Sequence, residues 1–366
     1  MEIRSPIPTT DIVAGRCALN NVTLLTAILS GCGSKSDGTA DVHVFYYTYS
    51  DTYIASVRSA LDSKLSNAGV KFQDYDSNSS QTTQTEQVQT AITKGAKLIV
   101  VNIVNTGSDD AANGIVSLAK NAGIPVIFFN REVSDSVVKS YDKCVFIGTD
   151  AAEAGHLQGK MIGEYIDSNF DAVDLNHDGK ISYILFKGEE GNNEAIYRSQ
   201  YSIEDADKIL KEKGRNPLMF YDSSNPNKYL VDKNGQWSAA SANEYMTTAL
   251  TSYSESNNNM IELVICNNDG MAEGAVTALN TAGYNTGSGK SIPVFGVDAT
   301  DAAKELIANG KMTGTIKQDA EGMADAISRI AKNGTDGKDL LDSTDDLNID
   351  SDVNKVRIAY SIYLGK

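Results

Sequence analysis

Residues 174–182 read DLNHDGKIS, in which oxygen-bearing side chains alternate with spacers around a single glycine. With Asp174 as position one, Asn176 and Asp178 fall at three and five, Gly179 permits the sharp turn, Lys180 offers its backbone carbonyl at seven, and Ser182 stands ninth. This spacing suits a hard cation such as Ca2+, which collects about six to eight oxygens from carboxylates, amides and carbonyls. The twelfth position, where a helix-flanked calcium loop carries a bidentate Glu, is Leu185 within the strand-like run ISYILFK. The stretch is therefore read as a calcium loop lacking its local closing carboxylate, with a solvated Asp-rich turn as the alternative.

A second group of polar residues stands where apolar runs end. Asn102 closes LIVVN, Asn268 and Asp269 follow ELVIC, Asp298 closes VFGVD, and Asp51 sits just beyond VFYYTYS. One Asn or Asp in such a place is ordinarily the N-cap of the next helix. Together the set is richer in amides and carboxylates than capping requires. Glu194 and Arg198 are four apart, the spacing of a helical ion pair. Trp237, the only tryptophan, follows the polar turn DKNGQ and precedes Ser238, a helix start, which puts it on a loop.

The elements that must carry these residues alternate in type. DVHVFYY (41–47), LIVVNIV (98–104), IPVIFFN (124–130), KCVFIG (143–148), ISYILFK (181–187), IELVICN (261–267) and SIPVFGV (291–297) are short apolar runs rich in β-branched and aromatic residues. Amphipathic stretches such as TYIASVRSALDSKLSNAG, SDDAANGIVSLAKNAG and DGMAEGAVTALNTAG lie between them, each ending in a glycine that suits a helix C-cap. Strands that are apolar throughout, separated by helices, imply parallel sheets covered on both faces. The strand count is too large for one sheet, so two doubly wound α/β domains are expected, with ligands at the carboxyl ends of their strands.

Composition narrows the function. The 366 residues carry a formal charge of −16, which argues against phosphate-backbone partners, so no nucleic acid is expected. Arg4 and Arg16 precede the apolar stretch VTLLTAIL, LSGC follows at 29–32, and a small polar spacer comes next. This resembles an export signal ending in a lipobox, which makes Cys32 the implied lipidation site and a lipid anchor the only expected membrane attachment. Cys144 and Cys266 each sit in an apolar run and read as small buried hydrophobes. With no paired-cysteine motif and three histidines, neither zinc nor a redox centre is expected. GYNTGSGKS (283–291) lacks the first glycine of a phosphate loop, since that position is Tyr284.

The runs YYTYSDTY, VVNIV, VIFFNRE, FIGTD, DLNHDGKIS, LFKGEEGN, ICNNDGMAEGAV and IPVFGVDA, in this order, resemble the bacterial periplasmic glucose/galactose-binding proteins of sugar ABC transporters. The resemblance spans essentially all of 41–364. It implies the type 1 periplasmic binding protein clamshell: two doubly wound parallel-sheet lobes joined by a three-segment hinge, with the sugar between them. The implied organisation is a signal segment at 1–32, a linker at 33–40, an N-terminal lobe of 41–130 and 319–358, and a C-terminal lobe of 131–318 and 359–366. Tyr53, where Phe is usual, and Trp237 would be the two stacking faces. Asp51, Asn102, Arg198, Asn268 and Asp298 would form the polar rim, Asp51 accepting from the C4 hydroxyl of either epimer.

Departures from the family pattern are Asn192 for His, Glu194 for Asp and Gln318 for Asn, all still able to hydrogen-bond. The missing calcium ligand would be Glu262, and Ser182 replaces the usual Gln. The implied activity is that of a monomeric receptor for D-glucose or D-galactose feeding the membrane subunits of an ABC importer. A sensor-linked sugar receptor or a clamshell for another monosaccharide is the alternative. A glycosidase-like enzyme lacks a nucleophile and base motif, and a sugar-responsive repressor would need a helix-turn-helix where the lipobox stands.

Overall fold

The structure, a computed structural model, describes residues 40–365. The signal segment, Cys32 and all but the last residue of the linker lie outside the described residues. Among those described, no helix is long and apolar enough to cross a membrane.

The chain opens with alternating strands and helices: β1 (Val42–Tyr46), α1 (Thr52–Asn67), β2 (Phe72–Asp76), α2 (Gln81–Thr93), β3 (Leu98–Val101), α3 (Asp110–Ala122), β4 (Val126–Phe129), α4 (Asp135–Lys139) and β5 (Cys144–Gly148). Successive residues of a strand point to opposite faces, and both faces are covered. Val42, Val44 and Tyr46 pack against Leu61 and Ile327, while Phe45 joins Ile99, Val101 and Val88 on the other side. Helix ends follow local chemistry: Ser80 caps α2 by accepting from the Thr83 amide, and Gly123, at φ 71°, closes α3 in the left-handed region open to glycine.

The chain then crosses to a second layer: α5 (Ala151–Val173), β6 (Ser182–Lys187), α6 (Asn193–Glu212), β7 (Met219–Phe220), β8 (Leu230–Val231), α7 (Ala239–Leu250), β9 (Leu263–Cys266), α8 (Asp269–Thr281), β10 (Val294–Asp298), α9 (Asp301–Ala308) and β11 (Gly314–Gln318). It returns through α10 (Ala320–Thr335) and β12 (Lys355–Arg357), then ends in β13 (Tyr360–Tyr363). The first sheet, ordered β12-β5-β4-β3-β1-β2, is parallel throughout. The second, β13-β11-β10-β9-β6-β7 with β8 beside β6, is parallel except for β13, which runs antiparallel to β11.

The result is two doubly wound parallel-sheet lobes joined by three short crossings, a type 1 periplasmic binding protein fold. One boundary differs from the expectation. The resemblance places residues after 130 in the C-terminal lobe, but β5 pairs with β4 on one side and β12 on the other, so the first crossing follows Gly148. The polar NRE that ends the β4 run marks a loop, not the exit from the lobe. The other crossings fall between Gln318 and Ala320 and between Arg357 and Tyr360.

Candidate functional site

The carboxyl ends of both sheets meet at a cavity between the lobes. Nine of the ten expected site residues line it: Asp51, Tyr53, Asn192, Glu194, Arg198, Trp237, Asn268, Asp298 and Gln318. Asn102 does not. It is fully buried behind the wall, accepting from the Tyr47 amide at 3.2 Å and donating to Asn130 Oδ1 at 3.1 Å. Its amide supports the loops that carry Tyr47 and Asn130, and it is these two that reach the cavity.

From the first lobe, Asp51 caps α1 by accepting from the Ile54 amide at 2.8 Å, and its other oxygen accepts from the Tyr47 hydroxyl at 2.7 Å. Each carboxylate oxygen keeps a lone pair for a ligand. Tyr53, the second residue of α1, is 5% exposed. Asn130 bends the chain at φ 60° directly after β4 and delivers Arg131 to the cavity rim.

The second lobe supplies most of the polarity. Helix α6 is set by close packing on α5, where Gly155 and Gly159 lie against the backbone of Tyr197 and Tyr201, so that any side chain there would collide. Its first turns then carry Asn192, Glu194 and Arg198 into the cleft. Asn192 caps the helix through Ala195 N and donates across the cleft to Thr106 Oγ1 at 3.3 Å. Arg198 donates to the Asn267 carbonyl at 2.9 Å, to Gln318 Oε1 at 3.3 Å and to the Tyr360 hydroxyl at 2.8 Å. Glu194 does not form the helical ion pair with Arg198 that their spacing offers as the alternative to a ligand role: both carboxylate oxygens are buried with no hydrogen-bond partner.

Trp237 adopts φ 55° on a loop whose next residue is anchored by the buried Asp232, which accepts from Ser238 N and Ser238 Oγ. The Trp237 carbonyl accepts from Asn268 Nδ2 at 3.2 Å, and its ring lies flat over Gly188. Asp298 closes β10 at φ 126°, a conformation that costs a non-glycine residue about 1–3 kcal/mol and that clusters at functional sites. Burial drives the Asp298 carboxyl well above the ordinary carboxylate range, against the pull of Arg198 and with the repulsion of Asp269 and Asp51 behind it. Burial also raises Glu194, with Arg198 opposing. The cavity thus presents acceptors and donors that are dry and incompletely paired.

The sequence pattern of the periplasmic binding protein domain matches residues 42–339. The D-galactose/methyl-galactoside binding periplasmic protein MglB of Haemophilus influenzae is 34% identical over 325 residues, covering 88% of this chain and 90% of that protein. The chain belongs to the periplasmic binding protein family. The D-xylose-binding periplasmic protein of Escherichia coli is 28% identical over 271 residues, covering 73% of this chain and 69% of its own. A solved ABC transporter solute binding protein from Bacillus halodurans with bound myo-inositol superposes with TM-score 0.67 at 24% identity, covering 90% and 96% of the two chains. That last likeness speaks to the fold.

As a periplasmic binding protein, the chain is a binder of solutes and not an enzyme. Four cavity residues escaped the sequence reading: Tyr47, Ile54, Asn130 and Arg131. The end-of-strand rule that singled out Asn102 applies equally to Asn130, which closes VIFFN. Arg131 carries no comparable signal, because its meaning depends on Glu189 58 residues away.

The loop at 174–182 is laced by its own side chains. Asp174 accepts from the amides of Asp178 and Gly179, and Asp178 accepts from the Lys180 amide. Glu262, 1% exposed, reaches in from just before β9 and accepts from the amides of Leu175, Asn176 and Ser182 and from the Ser182 hydroxyl. Burial pushes its carboxyl up, opposed by the loop amides and the Ser182 hydroxyl. Among the described residues no three His, Cys, Asp or Glu side chains converge as a metal site. A cation here would also need the Asn176 amide and the Lys180 carbonyl. The donor set, hard oxygens around buried carboxylates, fits Ca2+ in kind.

Proposed function

We propose that this chain is the sugar-binding component of an ABC importer and takes D-galactose or D-glucose in the interlobe cavity. The observation that carries this reading is a set of buried, unpartnered polar atoms on cavity residues: both oxygens of Glu194, Nε of Arg198 and Nε2 of Gln318. Left unmade, such bonds cost roughly 1–3 kcal/mol each; a polyhydroxylated ligand supplies both donors and acceptors. Tyr53 and Trp237 add aromatic faces, one from each lobe, for the apolar C–H faces of a pyranose. The galactose-binding relative, similar over nearly its whole length, points to the same class.

Because the sugar contacts both lobes only when they are closed, binding shifts an open-to-closed equilibrium by the difference in contact energy. The membrane subunits would then read the closed form. The same reading tethers the exported chain through Cys32, which mass spectrometry of the membrane-extracted protein would find lipidated at its N-terminus; an intact N-terminus would remove the anchor.

The test is a titration of residues 33–366 with glucose, galactose, xylose and ribose, followed by fluorescence of Trp237. A saturable change with a hexose and none with the pentoses supports the proposal and ranks the epimers. Saturation by a pentose alone would mean that Asn192, Glu194 and Gln318 have redirected the cleft.

We also propose that residues 174–182 and Glu262 hold a structural Ca2+, joining the loop before β6 to the strand β9 region. At a free concentration of about 100 times Kd a bound ion contributes roughly 2.7 kcal/mol. EGTA should therefore lower Tm by on the order of 5 °C, and Glu262→Gln should abolish the difference. Equal melting with and without chelator, at zero metal content, would sink the assignment.

A further inference from the structure

The wall of the cavity contains an ion pair that joins the two lobes. Arg131, in the loop after β4 and 5% exposed, donates from Nη2 to Glu189 Oε2 at 2.6 Å. The same nitrogen donates to the Val104 carbonyl at 3.0 Å, and the guanidinium lies 4.3 Å from the centroid of the Tyr47 ring. Tyr47 in turn donates to Asp51. On the other side Glu189, in the loop after β6, also accepts from Trp237 Nε1 at 3.5 Å. A single chain of contacts therefore runs from Asp51 through Tyr47, Arg131 and Glu189 to Trp237, and it changes lobe between Arg131 and Glu189.

We propose that Arg131 and Glu189 are positioning residues for the ligand, a latch that forms only as the cleft shuts and that fixes Tyr47 and Trp237 against the bound molecule. The assignment rests on the sugar-binding reading above for the nature of that molecule, but the latch itself is a property of the closed lobes. Three features separate it from an incidental surface pair. Both partners are largely withdrawn from water, with side chains 6% and 21% exposed, so their attraction is weakly screened. Each holds an aromatic residue of the cavity from its own lobe. Arg131 also lines the cavity itself, and its Nε–H is buried with no partner in the protein, a free donor for the ligand.

Losing one member strands the other charge in a dry wall. Such truncations of buried, hydrogen-bonded charge pairs act mainly on the dissociation rate. Opening must break the latch, whereas the open form meets its ligand before the latch exists.

The experiment is a double-mutant cycle of Arg131→Met, Glu189→Gln and the combined variant, with galactose and glucose affinities by calorimetry and release rates by stopped-flow Trp237 fluorescence. Each single variant is expected to bind the preferred hexose roughly 30-fold more weakly, through faster release, with the association rate changed by less than about threefold. The double variant is expected to lose no more than the weaker single variant. Additive losses, losses within twofold of the parent, or losses residing in the association rate would overturn the proposal. Should the unaltered chain bind no hexose, the sugar reading fails, and the same cycle run with xylose and myo-inositol, the solutes of two similar proteins, decides the latch. Faster release from the single variants supports it; unchanged release overturns it.

Discussion

Gly188→Ala is expected to weaken hexose binding by roughly 30- to 1,000-fold, equivalent to about 2–4 kcal/mol, while leaving the protein folded. A Cβ added at Gly188 would overlap the Cδ2, Cε3 and Cε2 atoms of Trp237. The methyl group cannot be absorbed locally, because Gly188 follows directly from β6 and its amide donates to Asn267 Oδ1 at 3.1 Å. The ring must therefore leave its seat, and its loop with it, since the Trp237 carbonyl accepts from Asn268 and Ser238 is anchored to Asp232. One methyl group thus removes the stacking face and disturbs the Asn268 amide. Calorimetry measures the loss, and the emission of Trp237 reports its altered surroundings. In a Trp237→Ala background the same substitution should cost less than about threefold further, because nothing remains to be displaced. Unchanged affinity in the single variant would mean that the ring is not the stacking face.

Much of this arrangement was legible in the sequence, for a physical reason. Central parallel strands are buried on both faces, so LIVV, VIFF, CVFIG and LVIC read as strands by apolarity alone. The sheet margins did not. FQDYD became β2, KVR β12 and YSIY β13, each at or next to a sheet edge where one side faces solvent and the apolar signal thins out. The polar residues at strand ends were legible as a group because the fold assigns them one location. Their individual duties were not, since Asn102 and Asn130 obey the same rule and only the packed loops decide which reaches the cavity. Pairwise features such as Arg131 with Glu189 have no local signature. The resemblance to sugar receptors added the sharpest expectations, the roles of Tyr53, Trp237 and Glu262.

Arg198→Met is expected to abolish hexose binding and to destabilise the fold by about 3–5 kcal/mol, the usual cost of stripping one partner from a buried polar network. The guanidinium is the junction between the cavity and the hinge. It donates to Gln318, the last residue before the second crossing, and to Tyr360, the first residue after the third. The Tyr360 hydroxyl in turn meets Thr149 Oγ1 at 2.8 Å, in the first crossing. A ligand that engages Arg198 therefore acts on all three connections between the lobes. The guanidinium is also the positive charge that opposes the desolvation of Glu194 and Asp298.

The pH dependence follows from that last role. Both carboxyls already have folded pKa values above their unfolded ones, and removing Arg198 raises them further. A carboxyl raised in the folded state binds protons more tightly there, so its contribution to stability is full at low pH and is lost as pH rises through the folded value. The melting deficit of Arg198→Met should accordingly be larger at pH 8 than at pH 5, where protonation relieves the two buried charges. Arg198→Lys, which keeps a charge but not the planar fork, should recover part of the stability and little of the binding. A deficit that is the same at both pH values would show that Glu194 and Asp298 do not rely on this guanidinium.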